Sequence, residues 1–437
     1  MVDVSVQISG LTEQGLGQAE VNERPLLVRN ALPGEQVNAR ILKKRKGVRF
    51  ADGYPLSNLH PHRVASACSA FPRCGGCSMH HLAYGEQLSL KERQLRSALD
   101  LHQVQPLSWR QPVSALRSGY RTKARLGVRQ LGDQVLVGFR ESFSNRVARL
   151  PECLILTPQL SRLIQPLART IEQLSAPDKI PQIEFAQGDD GVSVIVRHLV
   201  ELSESDRARW LAFESVHQVE VVLQSAGYDS LCTLAGSDLA PSDRSYQLPA
   251  YGLTLFFAPH QFTQVNLQIN RDLISAVLSY LGPLNGKRVV DLFCGIGNFS
   301  LPMSRRGARV SGFEASAGAV DKARHNARFN HTPAHFESAD LYQAEQAEDV
   351  AQHVSEAHAL VLDPPRSGAG PQLPAWLQVF TGQQIVYVSC NPATFAEDAV
   401  ALQNAGFVLR EVGVYDMFPH TAHIETLGYF EREAPSS

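Results

Sequence analysis

Val289-Val290-Asp291-Leu292-Phe293-Cys294-Gly295-Ile296-Gly297-Asn298-Phe299 decides the fold. It is an apolar run ending in an acid, followed at once by Gly-x-Gly and more apolar residues. A buried strand that turns sharply into a helix has this composition, and the glycines let backbone pass close to a ligand. The same rhythm recurs on both sides. A helical pattern spans residues 262–281, and short apolar strands are expected at 288–292, 309–313, 359–362, 384–388 and 407–414. Helices alternating with fully apolar strands predict a mostly parallel, doubly wound sheet over residues 251–437.

A dinucleotide fingerprint needs a third glycine where Ser300 stands, so a pyrophosphate ligand is disfavoured. S-adenosylmethionine (SAM) has no phosphate and needs only the close turn. Glu314 ends the next strand and is placed to accept hydrogen bonds from ribose hydroxyls. Asp340 follows the next apolar stretch, within reach of an adenine amine. NAD, FAD and a purely structural turn are the weaker alternatives.

Two further strand ends carry chemistry. Leu360-Val361-Leu362 runs into Asp363-Pro364-Pro365-Arg366, a stiff turn at the ligand-binding edge of such a sheet. Arg366 stands where methyltransferases acting on exocyclic amines carry an aromatic residue, which disfavours amine methylation. The next strand ends in Ser389-Cys390-Asn391-Pro392 and brings a thiol to the same edge. A strand-end cysteine is ordinarily inert packing. Here an acid lies one strand away, and residues 418–425 add a polar loop with His420, His423 and the carboxylate Glu425. A metal at the two histidines is disfavoured; they are expected to shape that loop or touch RNA. Carbon 5 of uracil is a poor nucleophile. A thiolate added to carbon 6 makes an enolate, which attacks the methylsulfonium from carbon 5. Losing the carbon 5 proton then requires a general base, and Glu425 is the candidate.

The rest of the chain divides in two. Residues 1–62 read as a small all-β barrel of the OB type, with strands expected at 2–8, 25–28 and 36–42 and a basic edge at Lys43-Lys44-Arg45-Lys46. Residues 63–250 read as mixed α/β, with a helix at 84–101, paired strands at 120–128 and 134–139, a helix at 160–174, and strands at 191–197 and 219–223. Cys68, Cys74 and Cys77 with the remote Cys153 supply four thiolates, suited to zinc or to a [4Fe-4S] cluster. Three clustered cysteines plus one distant favour the cluster over paired zinc knuckles. Cys232 and Cys294 read as packing residues.

The chain has 437 residues, about three domains' worth, and 44% hydrophobic residues, which excludes a mainly disordered protein. No apolar run approaches the ~20 residues of a membrane span, and no secretory leader pattern opens the chain, so a cytoplasmic protein is expected. The net charge of −2 conceals polarity: residues 117–149 carry eight Lys or Arg and two acids, while 340–358 carry five acids and no Lys or Arg. The basic stretch interleaves Arg117, Arg121, Lys123, Arg125 and Arg129 with Tyr120, Phe139 and Phe143, and with the edge at 43–46 it is the expected RNA-binding face.

Taken in order, Gln261-Phe262-Thr263-Gln264-Val265-Asn266, residues 291–299, 362–366, 388–394 and 416–425 resemble the SAM-dependent RNA uracil-carbon-5 methyltransferases over nearly the whole chain. The resemblance implies Cys390 as nucleophile and Glu425 as proton-abstracting base. It implies SAM contacts at Gln264, Phe293, Asn298, Glu314, Asp340 and Asp363; Asp340 stands where the family has Asn. It further implies that the N-terminal barrel is a TRAM domain, that Cys68, Cys74, Cys77 and Cys153 hold a [4Fe-4S] cluster, and that the substrate is 23S ribosomal RNA, as in the branch acting at uracil 1939. No membrane and no obligate protein partner are implied. The alternatives are another rRNA site, tRNA, or a non-catalytic RNA-binding or redox-sensing protein.

Overall fold

A computed structural model describes residues 3–236 and 239–433, which form three large sheets and a two-stranded ribbon of Arg244–Leu248 and Leu253–Phe257. The N-terminal sheet has six strands in the order Asp3–Gln7, Gln36–Arg45, Val48–Ser57, Pro25–Arg29, Gly17–Glu20 and Gly10–Leu11. Its first and last strands are separated in the chain only by Ile8 and Ser9, so the sheet curls back on itself around Val6, Leu26, Val28, Val37, Ala39 and Ala51. The expected strand at 2–8 is Asp3–Gln7; residue 2 lies outside the described residues. The basic run continues the strand Gln36–Arg45 into a turn at Lys46 and Gly47, both in the left-handed region at φ +47° and +83°.

The middle sheet is ordered Leu231–Thr233, Glu220–Gln224, Val192–Arg197, Gln182–Gln187, Lys123–Leu131 and Gln134–Gly138. The last two strands pair antiparallel across Gly132, as expected. Helix Pro158–Glu172 covers the sheet. It starts with Pro at its first position and a Thr157 hydroxyl accepting from the Leu160 N–H, and it buries Leu160, Leu163, Ile164, Leu167 and Ile171 at helical spacing.

The C-terminal sheet has eight strands: His335–Ser338, Arg309–Glu314, Arg288–Leu292, Ala359–Leu362, Gln384–Ser389, Glu425–Arg432, Phe407–Tyr415 and Ser108–Trp109. The first five run parallel. Ala359–Leu362 is buried at every residue, as a parallel strand covered on both faces must be. Glu425–Arg432 inserts antiparallel between Gln384–Ser389 and Phe407–Tyr415. Helix Tyr84–Leu101 and strand Ser108–Trp109 lie early in the chain yet pack here, with Leu95, Leu99 and Val104 in the core of this sheet. Among the described residues no helix is long and apolar enough to cross a membrane.

One expected element is shorter. The helix predicted over 262–281 begins at Leu267, where the Asn266 side chain accepts from the Ile269 N–H and caps it. The residues before it run without helix, because Thr122 bonds the Val265 carbonyl through both its N–H and its hydroxyl.

Candidate functional site

All the candidate chemistry sits at the carboxyl edge of the C-terminal sheet, where parallel strands leave open ends. Asp291 is fully buried at the end of Arg288–Leu292 and accepts from the Ser300 hydroxyl, while its second oxygen has no partner. Burial pushes its carboxyl up to about 7. The following turn is tight: Phe293, Gly295 and Gly297 have φ of +67°, +53° and +92°. A Cβ at Gly297 would come 3.2 Å from Leu301 and 3.3 Å from Phe336. Glu314 accepts from the Gly295 N–H at 3.3 Å and from the Ser316 N–H at 2.9 Å, which anchors it across the turn. Asp340 accepts from the Tyr342 N–H at 3.0 Å in the turn after His335–Ser338. Asn298 is held by Asn270 in both directions, at 2.8 and 2.9 Å, and accepts from the Tyr246 hydroxyl at 2.9 Å.

Asp363 begins the Pro-Pro turn, its side chain hydrogen-bonded to Gln264. Burial, and then the nearby charges of Asp291 and Glu314, push its carboxyl up to about 7 despite that bond. The Arg366 carbonyl accepts from the Asn391 amide at 2.8 Å, which ties this turn to the one carrying Cys390. Asn391 also caps the helix Pro392–Asn404 that follows the thiol.

Cys390 and Glu425 come together through the sheet. Ser389 pairs with Thr426, so the next step of the same antiparallel ladder sets Cys390 beside Glu425. The sequence placed Glu425 in a polar loop; it is the first residue of a strand, paired with Tyr415. That strand contains Gly428 between Leu427 and Tyr429 and shows no clean alternation, so it was not legible as one. Glu425 is 3% exposed, and burial, with Asp363 close by, holds its carboxyl well above the usual range. Burial and the carboxylates of Glu425 and Asp363 push the Cys390 thiol up to about 11, partly opposed by Arg366. The free protein therefore holds the thiol neutral.

Cys390 opens onto a cleft of about 1200 Å³. Leu11, Leu16 and Phe50 of the N-terminal sheet form one wall, and Arg93, Gln94 and Ser97 of helix Tyr84–Leu101 another. Gly75 to Ser78 line it beside the cysteine loop, and Arg366 and His423 lie next to the thiol, 3.3 Å from each other.

The expected RNA face is partly corrected. Tyr120 is buried, its hydroxyl donating to the Pro419 carbonyl. Lys123 turns inward to the carbonyls of Pro259 and Gln261, and burial brings its ammonium down to about 8. Arg125 pairs with Glu184 at 3.0 Å. Arg121 bonds the Lys123 carbonyl, and Arg117 stacks 4.2 Å from the Tyr84 ring. Lys123, Arg125 and Arg129 alternate with buried Ala124, Leu126 and Val128 and so share one face of their strand, on which Arg125 and Arg129 stay exposed; it is the inward bonds of Lys123 that remove its charge from that face. Phe143 does reach the cleft, 5.0 Å from Phe50 and 5.7 Å from the Lys43 ammonium.

Cys68, Cys74, Cys77 and Cys153 line one apolar cavity with Phe71, Phe139 and Leu150. Burial pushes the Cys74 thiol up to about 12 and raises those of Cys77 and Cys153. Among the described residues, no three His, Cys, Asp or Glu side chains are set to hold a single metal ion. Cys232 and Cys294 have no cysteine partner; Cys294 packs in the core beneath the glycine turn.

A parallel sheet with a glycine turn, acids at successive strand ends and a thiol at the same edge defines the class: a methyltransferase of the SAM-dependent type. The crystal structure of Pyrococcus abyssi tRNA (uracil-54, C5)-methyltransferase in complex with S-adenosyl-L-homocysteine has the same fold, with a TM-score of 0.74 at 23% identity over 98% of this chain and 100% of that one. The chain belongs to the tRNA (uracil-5-)-methyltransferase family, whose model matches residues 83–433. It is 40% identical to the 23S rRNA (uracil(1939)-C(5))-methyltransferase of Hahella chejuensis, covering 98% of this chain and 97% of that protein. It is 43% identical to the enzyme of the same name from Nitrosococcus oceani, covering 97% and 95%.

Proposed function

We propose that this chain transfers a methyl group from SAM to carbon 5 of a uracil in 23S ribosomal RNA, at the position for which its relatives are named, uracil 1939. The observation that carries the mechanism is the adjacency of Cys390, which lines the cleft, to the buried Glu425 one ladder step beyond the Ser389–Thr426 pair. A uracil inside folded RNA must be extruded to reach that thiol. Cys390 adds through sulfur to carbon 6, and its proton leaves to solvent or a neighbouring carboxylate. Carbon 5 of the resulting enolate attacks the methyl carbon, and the C–S bond to the sulfonium breaks, releasing S-adenosylhomocysteine. Glu425 takes the proton from carbon 5, and the electron pair expels the Cys390 thiolate. Gln264, Phe293, Asn298, Glu314, Asp340 and Asp363 surround the methyl donor. Asn298 serves by fixing the turn to Asn270 and Tyr246.

The N-terminal sheet acts as a TRAM-type, OB-like module on the RNA, within a division of the chain at 1–62, 63–250 and 251–437. Cys68, Cys74, Cys77 and Cys153 would hold a [4Fe-4S] cluster. The donor set suits it: four thiols share one largely apolar cavity with His80 at its wall, and the Gly76 N–H points at the Cys74 sulfur at 3.4 Å. A Cβ at Gly75 would meet the Arg140 carbonyl at 2.8 Å, so the loop wraps the cavity only with glycine there. The purified protein is expected to be brown, with stoichiometric iron and sulfide; a colourless zinc protein would exclude the cluster. A cytoplasmic setting and independence of membranes and obligate protein partners go with this reading.

Two variants test the mechanism. Cys390→Ala should abolish methyl transfer while binding SAM; persistent activity would remove the nucleophile. Glu425→Gln should methylate once and stay attached to RNA as a denaturation-resistant complex. Mapping methylated nucleotides in rRNA and tRNA from cells with and without the gene separates uracil 1939 from other targets.

A further inference from the structure

The loop at residues 416–424 joins Phe407–Tyr415 to Glu425–Arg432 and so ends at the carboxylate. Three successive carbonyls of this loop are captured from outside it. Phe418 O accepts from Lys91 Nζ at 3.0 Å, Pro419 O from the Tyr120 hydroxyl at 3.1 Å, and His420 O from the N–H groups of Ser78 and Met79 at 3.0 Å each. The first residue is held hardest. Asp416 accepts from Lys91 Nζ at 2.5 Å and from the Tyr84 hydroxyl at 2.6 Å, with both members of the ion pair 1% exposed.

Lys91 and Tyr84 lie on helix Tyr84–Leu101, whose other face lines the cleft. A buried ion pair is a poor way to gain stability, because desolvating two charges offsets most of their attraction. Apolar side chains of similar volume would hold helix to sheet as well. What they would not supply is direction: the ammonium reaches both the Asp416 carboxylate and the Phe418 carbonyl, and so fixes two points of one loop.

We infer that Lys91, with Asp416 and Tyr84, is a positioning set for Glu425, holding the loop that aims this carboxylate at the carbon 5 proton. The inference rests on the roles proposed above for Cys390 and Glu425. Cys390 follows another strand and the donor's turn a third, and neither is hydrogen-bonded to Lys91, Asp416 or Tyr84. Loosening it slows proton abstraction and leaves adduct formation and donor binding in place.

The test pairs Lys91→Met/Asp416→Leu, an apolar replacement that strands no buried charge, with Tyr84→Phe, which keeps the ion pair and removes one hydrogen bond. In the double variant kcat is expected to fall about 10- to 100-fold. KM for RNA and SAM should stay within about twofold. The fraction of enzyme present as a denaturation-resistant RNA adduct during turnover should rise. Tyr84→Phe should move kcat and adduct fraction in the same directions by less. Parent-level kcat and adduct in the folded double variant, or a fall in kcat without more adduct, would overturn the inference. If the double variant does not fold, Tyr84→Phe decides by the same two readings. Absence of any adduct in Glu425→Gln would instead overturn the roles on which the inference rests.

Discussion

At the scale of single residues the site is a set of buried acids around a neutral thiol. Asp291 and Asp363 are each pushed up to about 7, Glu425 is held well above the usual carboxylate range, and Cys390 is pushed up to about 11. Burial is the first cause in all four, and neighbouring negative charge adds to it. A cation placed among them reverses the second effect. The sulfonium of SAM is such a cation; S-adenosylhomocysteine is not. Alkylation of Cys390, followed on its own peptide by mass spectrometry, is therefore expected to rise with pH around an apparent pKa above the ordinary value. SAM should move that profile to lower pH while S-adenosylhomocysteine should not, provided the reagent still reaches the sulfur. Identical profiles with the two ligands would mean that donor charge does not activate the thiol. Cys390 and Glu425 were legible in the sequence because strand-end positions in a parallel sheet share one edge. Lys91 was not. A lysine in an otherwise ordinary helix reads as a solvated side chain until its partner, 325 residues away, is seen.

At the scale of elements, the glycine turn shows how much a short motif fixes. Gly297 sits at φ +92° with Leu301 and Phe336 within 3.3 Å of where a Cβ would stand, whereas Gly295 at φ +53° has open space. Both replacements strain the backbone, and only the first also crowds the core. Gly297→Ala is expected to cost about 1–3 kcal/mol and to weaken SAM binding, and Gly295→Ala to cost less stability. Thermal melting with and without SAM checks the order, and equal melting temperatures would count against crowding as the cause. The parallel strands were readable because burial on both faces leaves a continuous apolar run. The antiparallel strand Glu425–Arg432 was not, since Gly428 and the polar residues at its ends break that signal. Residues 262–266 read as helix because apolar spacing continues through them, while the cap at Asn266 and the bonds from Thr122 decide otherwise.

At the scale of the whole molecule, the N-terminal sheet, helix Tyr84–Leu101 and the carboxyl edge of the C-terminal sheet meet at one cleft, and chain position alone does not say which charges reach it. The basic stretch at 117–149, concealed by the near-neutral total, was expected to form an RNA face together with the edge at 43–46. Lys123 is turned inward and Arg125 pairs with Glu184, and among the described residues no Lys or Arg of 117–149 lines the cleft. The hairpin turn at 43–46 does face outward: Lys43 lies 5.5 Å from Phe50 and 5.7 Å from Phe143, both cleft-lining, and Lys44 to Lys46 continue from it, exposed. Around the cleft itself Arg93 and Arg366 stand against Glu13. This edge is then the main source of long-range attraction for RNA, acting through counterion release. Replacing Lys43, Lys44, Arg45 and Lys46 with Gln should weaken RNA binding at low salt. It should reduce the slope of log K against log salt by up to about 3, for single-stranded RNA at about 0.7 per contact. SAM affinity should not change, because the hairpin and the glycine turn lie on different sheets. Filter binding over a salt series measures the slope. An unchanged slope would move the RNA-facing charge away from the N-terminal sheet and onto Arg93, Arg366 and the outward residues of the middle sheet.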